Sequence, residues 1–267
     1  MRKIVIASAL SLLSVAAMAQ ESKPQLKWYG FVRNYAAVDT RESVAGTEDF
    51  FYYLPKDENI ADGVDLNERT SAKFAAITSR LGLDVTGYEF NGWKMGAKIE
   101  ADFYNGVSGV TGTAVLRLRQ AYATIAKDAL SFKVGQAWHP LAADMPDVIS
   151  LNTGAPFGPF SRTPIAQVEY KFLPSLTFTA AALWQMQYVS AGPSGASANY
   201  IKYGCTPEMY FGLSFAQDGF TGRVGLDVLS IKPRNVAGNK KVNDRITTVS
   251  PFLYAQYTDN LWTLKAK

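Results

Sequence analysis

Arg117 and Arg119 stand two residues apart in the run LRLRQAYATI. Side chains of an extended chain alternate faces, so both guanidinium groups project from one face, about one strand repeat apart. Arg80, Lys94, Lys98 and Lys133 fall on the polar faces of neighbouring segments, and a loop further on carries Asp144, Asp147 and Arg162. Such groups do no covalent chemistry by themselves. Basic side chains on a wall, set opposite acidic ones on a loop, create a field that orders water and selects solutes by charge. Basic residues dominate here, so anionic solutes such as carboxylates are the expected guests. Glu100 and Asp102 share the wall; on the competing, purely structural reading they pair with Lys98 or with Arg117 and Arg119 and the charges select nothing.

Other chemistries find little support. His139 is the single histidine and Cys205 the single cysteine, which excludes a His/Cys zinc cluster and an internal disulfide. No nucleophile motif accompanies His139, so no catalytic residue, cofactor or metal is assigned and no enzymatic activity is expected. Asp57, Glu58, Asp62 and Asp65 offer calcium-type ligands, but their spacing fits no calcium-loop template and they read as a solvated loop. A net charge of +4 is small for 267 residues and predicts no nucleic-acid partner.

The elements that must hold these side chains are strands. From Trp93 to Phe103 every second residue is apolar (Trp93, Met95, Ala97, Ile99, Ala101, Phe103) and those between are polar or small. That period of two gives one oily and one charged face over about eleven residues, enough for a tilted strand to cross a bilayer. Asn91-Gly92 before it and Asp218-Gly219 later are strong two-residue hairpin signals. The same pattern predicts strands at 26–38, 77–87, 114–126, 130–138, 165–172 and 176–188, one on each side of Asp218-Gly219, one at 246–258 and a start at 261–267. In the fourth, Leu116, Leu118 and Tyr122 read as one face and Arg117, Arg119, Ala121 and Ala123 as the other. In the fifth, Trp138 reads with Leu130, Phe132 and Val134. Connections alternate short and long, as in outer-membrane barrels, and aromatics gather near strand ends as interfacial girdles do.

Residues 1–19 read as a signal peptide: Arg2 and Lys3, an apolar stretch, then Ala17-Met18-Ala19, placing the mature start near Gln20. An exported chain without disulfides, with spanning-length strands and alternating connections, points its oily face to lipid and its polar face to a water-filled lumen. The expected fold is all-β, an antiparallel transmembrane β-barrel. An open sheet leaves unpaired edges in lipid, so the barrel must close. About ten to eleven strands are visible and bacterial barrels have an even number. Residues 20–267 therefore read as an incomplete barrel domain, sixteen strands when complete.

The segments GFVRNYA, SRLGLDVTG (79–87), LRLRQAYATI and VGQAW (134–138) resemble the general porins of Gram-negative bacteria, and most closely the DcaP-like porins and their Bacteroidetes-type relatives. The resemblance covers most of the mature chain. It implies a homotrimer in the outer membrane, open to small hydrophilic solutes, with the third long loop folded into the lumen as a constriction. By count that loop is 139–164, where APFGPF departs from the family's Pro-x-Phe-Gly by a preceding Ala155 and the lack of a Glu. Lys240-Lys241 in a basic loop read as a solvated loop in preference to a contact with lipopolysaccharide phosphates. The competing reading is a non-conducting surface barrel with an adhesive or structural role.

Overall fold

The computed structural model describes residues 23–46, 51–76, 78–104, 114–144, 161–186 and 188–267. The expected signal peptide, Asp147 and most of the 139–164 loop lie outside these residues, as does the side chain of Asp144.

Eleven strands form one antiparallel sheet in which each pairs with the next in sequence. They are β1 Gln25–Phe31, β2 Arg80–Phe90, β3 Trp93–Tyr104, β4 Val115–Lys127, β5 Leu130–Trp138, β6 Arg162–Leu173, β7 Leu176–Leu183, β8 Glu208–Gln217, β9 Phe220–Ile231, β10 Ile246–Thr258 and β11 Thr263–Ala266. Among the described residues the structure is all-β apart from a 3-10 turn at Pro140–Asp144 and the short helix α1, Asn199–Gly204. Leu81, Ile99, Leu116, Val134, Phe211, Val224 and Leu253 are exposed on one face, whereas Glu100, Asp102 and Arg119 are buried on the other. Apolar outside and charged inside is the arrangement of a sheet whose solvent is lipid. The Lys267 ammonium donates to the Leu141 carbonyl at 2.7 Å, so the sheet curls until its last strand meets the turn after β5.

The hairpin signals act where expected. Asn91 and Gly92 have φ of 50° and 77°, Asp218 and Gly219 of 50° and 80°. Two successive positive φ values match the right-handed twist of the flanking strands, and Asn-Gly or Asp-Gly reaches them at least cost. At Gly219 a Cβ would also run into the Thr258 carbonyl oxygen. The connections alternate short and long along the whole sheet.

Several local expectations change. The first strand leaves the sheet at Phe31, and Tyr35–Asp39 pairs instead with Ser71–Ala75 as a separate hairpin. Thr78, with φ 62°, bends the partner chain out of extension just before β2, so no partner remains for a longer β1. The polar connection after it carries further hairpins, Ser43–Gly46 with Phe51–Pro55 and Ile60–Ala61 with Val64–Asp65. β7 ends at Leu183 rather than at 188, where the Trp184 N–H turns to the Pro164 carbonyl. Arg162 is the first residue of β6 and not part of the loop.

The expected faces of β4 are right only up to Arg119. Leu118 pairs with Ala101 and Gln120 with Glu100, so Arg119 is an inserted residue, a β-bulge. A bulge sets two residues against one and reverses the alternation beyond it. Tyr122 therefore pairs with inward-facing Lys98, while Ala121 pairs with lipid-facing Ile99 and Ala123 turns outward with it. Trp138 departs from Phe132 and Val134 as well. Gly135, at φ 133°, leaves the usual extended geometry within the strand, and the Trp138 ring lies against guanidinium groups.

Candidate functional site, an arginine ladder on the inner wall

The first four strands place the charges. β3 supplies Lys98, Glu100 and Asp102 on its inward face, and the β3–β4 register sets Arg117 directly opposite Asp102. Asp102 has no exposed surface. It accepts a two-pronged bond from Arg117, Nε to Oδ1 at 2.9 Å and Nη2 to Oδ2 at 2.8 Å, and a third from Arg119 Nη1 at 2.7 Å. The bulge is what allows this. It turns Arg119 and Gln120 to one carboxylate, so that Arg119 Nε donates to Glu100 Oε1 at 2.6 Å and Gln120 Nε2 to the same oxygen at 3.4 Å. The Tyr29 hydroxyl from β1 donates to Glu100 Oε2 at 2.9 Å, and Arg80 Nη1 from β2 lies 3.7 Å from that oxygen. Lys98 is held between Asp84, at 2.7 Å, and the Tyr29 hydroxyl, at 3.0 Å.

Aromatic faces hold the guanidinium planes. Arg117 lies 3.5 Å from the Tyr104 ring centre, Arg162 lies 4.7 Å from that of Trp138 and Arg80 lies 5.1 Å from that of Phe31. Such stacking suits arginine, whose delocalised cation is weakly hydrated. Four guanidinium groups (Arg80, Arg117, Arg119, Arg162) thus gather around two carboxylates, leaving a local surplus of positive charge. The four are not equivalent. Arg119 and Arg162 are 5% and 1% exposed, while the side chains of Arg80 and Arg117 are 24% and 21% exposed. Solvent reaches the second pair and not the first.

Of the residues singled out from the sequence, Arg80, Lys98, Arg117, Arg119 and Arg162 come together. Lys94 sits apart near the β2–β3 turn, exposed. Lys133 stands further along the wall, 5.5 Å from the Tyr122 ring centre, and lines a cavity of about 380 Å³. Tyr29, Tyr104 and Trp138 were missed: Trp138 reads with the oily face, and the contacts of Tyr29 and Tyr104 depend on register across strands. His139, given no role from the sequence, is buried with its Nε2 at 3.1 Å from Glu208 Oε1.

A meander of antiparallel strands, apolar toward lipid and lined with paired arginines within, defines the wall of an outer-membrane β-barrel. A family model described as Gram-negative porin matches residues 7–227. The chain belongs to that family and is a protein of the outer membrane. No curated protein matches the sequence. Among solved structures, the outer membrane channel DcaP of Acinetobacter baumannii superposes with TM-score 0.64 at 21% identity, over 88% of this chain and 60% of that one. A loop-deletion mutant of OmpT, an outer membrane protein of Vibrio cholerae, gives 0.50 at 12% identity over 89% and 66%. An anion-selective porin from Comamonas acidovorans gives 0.51 at 11% identity over 91% and 66%. The chain spans between 60% and 66% of the length of these structures.

Proposed function

We propose that the chain builds most of the wall of a water-filled diffusion channel for small hydrophilic solutes, with a preference for anions such as carboxylates. The observation that carries the preference is the surplus of guanidinium groups, with Arg80 and Arg117 partly exposed above buried Arg119 and Arg162. Fixed cations on a narrow aqueous wall raise the local concentration of anions and repel cations. Recognition is by charge, with no bond made or broken, so the role is transport and not catalysis.

The same proposal includes closure of the barrel by further strands, sixteen in all, and assembly as a homotrimer surrounded by lipid and lipopolysaccharide. It also includes removal of residues 1–19 on export and a constriction made by the 139–164 loop. Two observations support closure. Among the described residues the outer edges of β1 and β11 have no partner strand, and the similar solved structures are longer than this chain. An unpaired edge costs several kcal/mol per backbone group in lipid.

The test is a reversal potential across a planar bilayer under a KCl gradient. Replacing Arg117 and Arg119 together by Ala should move it toward cation preference, provided the variant retains heat-modifiable mobility as proof of folding. An unchanged potential in the folded variant refutes the anion reading. A second reading, a non-conducting surface barrel, draws on the buried apolar cluster of Ile165, Ala181, Leu183 and Tyr210, with Leu141 packed against it on the inner wall. Absence of conductance in the folded native protein would favour it.

A further inference from the structure

His139, at the end of β5, meets Glu208 of β8 and Asp227 of β9 on the inner wall. One ligand atom from each lies within 4.8 Å of the others. His139 Nε2 is 3.1 Å from Glu208 Oε1 and 3.8 Å from Asp227 Oδ1. Ligands about 2.0–2.1 Å from a tetrahedral ion stand roughly 3.3 Å from one another, so these two separations bracket that edge.

We propose that His139, Glu208 and Asp227 form a binding site for a divalent transition-metal ion of the Zn²⁺ type, which ties the turn after β5 to β8 and β9. The donor set suits it: one imidazole and two carboxylates match a borderline divalent ion, and three protein donors leave a fourth position for water. Charge argues the same way. Two neighbouring carboxylates, with Asp227 only 9% exposed, need a cation or a shared proton to be stable inside a wall. Asp227 Oδ1 is buried and makes no hydrogen bond among the described residues, although it lies toward His139. The outer shell is organised. Gln185 Nε2 donates to Glu208 Oε2 at 3.1 Å and is itself held by the Ser190 hydroxyl at 2.9 Å, while Tyr210 meets the imidazole edge-on. Such contacts orient ligands and raise metal affinity. His139 also lines the 380 Å³ cavity, which provides access.

The ring's other nitrogen makes the proposal specific. The Leu141 N–H donates to His139 Nδ1 at 3.1 Å. With Nδ1 accepting, the neutral imidazole carries its proton on Nε2 and donates it to Glu208. Ligation replaces that proton by the ion. The ring proton then belongs on Nδ1, where it faces the Leu141 N–H and breaks that bond. Metal uptake is therefore coupled to release of the Leu141 amide.

The experiment uses the full folded chain in detergent micelles, titrated with ZnCl₂ by calorimetry, with Zn-edge X-ray absorption on the loaded protein. The expected result is one saturable ion per chain, one nitrogen and otherwise oxygen in its shell, and faster amide exchange at Leu141. Glu208→Gln and Asp227→Asn, which keep side-chain shape, should each weaken binding at least about tenfold. Asp57→Asn with Asp62→Asn in the outer loop should leave it unchanged. Lack of saturable uptake by the native protein overturns the proposal. So does uptake undiminished in the two wall variants, or an all-oxygen shell, which can be read on the native chain even where a variant does not fold.

Discussion

Asp102→Asn tests the arginine ladder at its most constrained point. The substitution keeps the shape of a side chain without exposed surface and removes the charge that Arg117 and Arg119 share. Two effects follow with separable readouts. Breaking a buried ion pair by neutralising one partner costs about 3 kcal/mol, at the low end of the usual range because the amide oxygen still accepts one bond. The urea midpoint for unfolding from detergent should fall accordingly. The lumen also gains one unit of positive charge. At about 5 Å in a water-like dielectric that is worth about 0.8 kcal/mol to a passing anion, or roughly fourfold in occupancy. Salt screens the effect, so the reversal potential is best read near 10 mM, where the Debye length is about 30 Å. The variant should thus be less stable and more anion-selective, the opposite direction in selectivity to removing Arg117 and Arg119. A folded Asp102→Asn channel with unchanged selectivity, or one moved toward cations, refutes the reasoning.

The outer loop carries a pH prediction. The N–H groups of Asn59 and Asn67, together with Arg41, hold the Asp65 carboxyl down at about 2. A depressed carboxyl stabilises the fold above its unfolded value near 4, and that contribution is lost as pH falls from about 4 to about 2. Amide exchange at Asn59 and Asn67 should accelerate through that window while the sheet stays protected, and Asp65→Ala should show the loosened state at neutral pH. The bulge in β4 carries another. Ala123→Arg sets a cation against lipid and should cost up to about 2–4 kcal/mol near the bilayer midplane, whereas Thr124→Arg, beside Lys133 on the inner face, should fold normally. Equal folding yields for the two variants would show that β4 alternates without a bulge.

β3 illustrates what sequence alone determined. Its alternation from Trp93 to Phe103 is uninterrupted, and Asn91-Gly92 has a single comfortable turn geometry, so strand, hairpin and the inward set Lys98, Glu100 and Asp102 all follow from local rules. The same holds for the meander order, the apolar exterior and the long–short rhythm of connections, because each depends on residues close together in the chain. The partnering of Glu100 and Asp102 with Arg117 and Arg119 was also within reach, since hairpin register brings them level. What tertiary structure alone decided begins at Arg119. An inserted residue leaves no mark in composition, yet it reverses the faces of Tyr122 and Ala123 and brings two side chains to one carboxylate. It also separates Arg117, which solvent reaches, from Arg119, which it does not. Trp138 moves from the lipid face to the guanidinium groups of Arg119 and Arg162. His139 gains Glu208 and Asp227, 69 and 88 residues away along the chain. Period-two patterning reports which face of a strand is oily; which inward groups meet depends on register, bulges and curvature summed across many strands, and no local pattern encodes that sum.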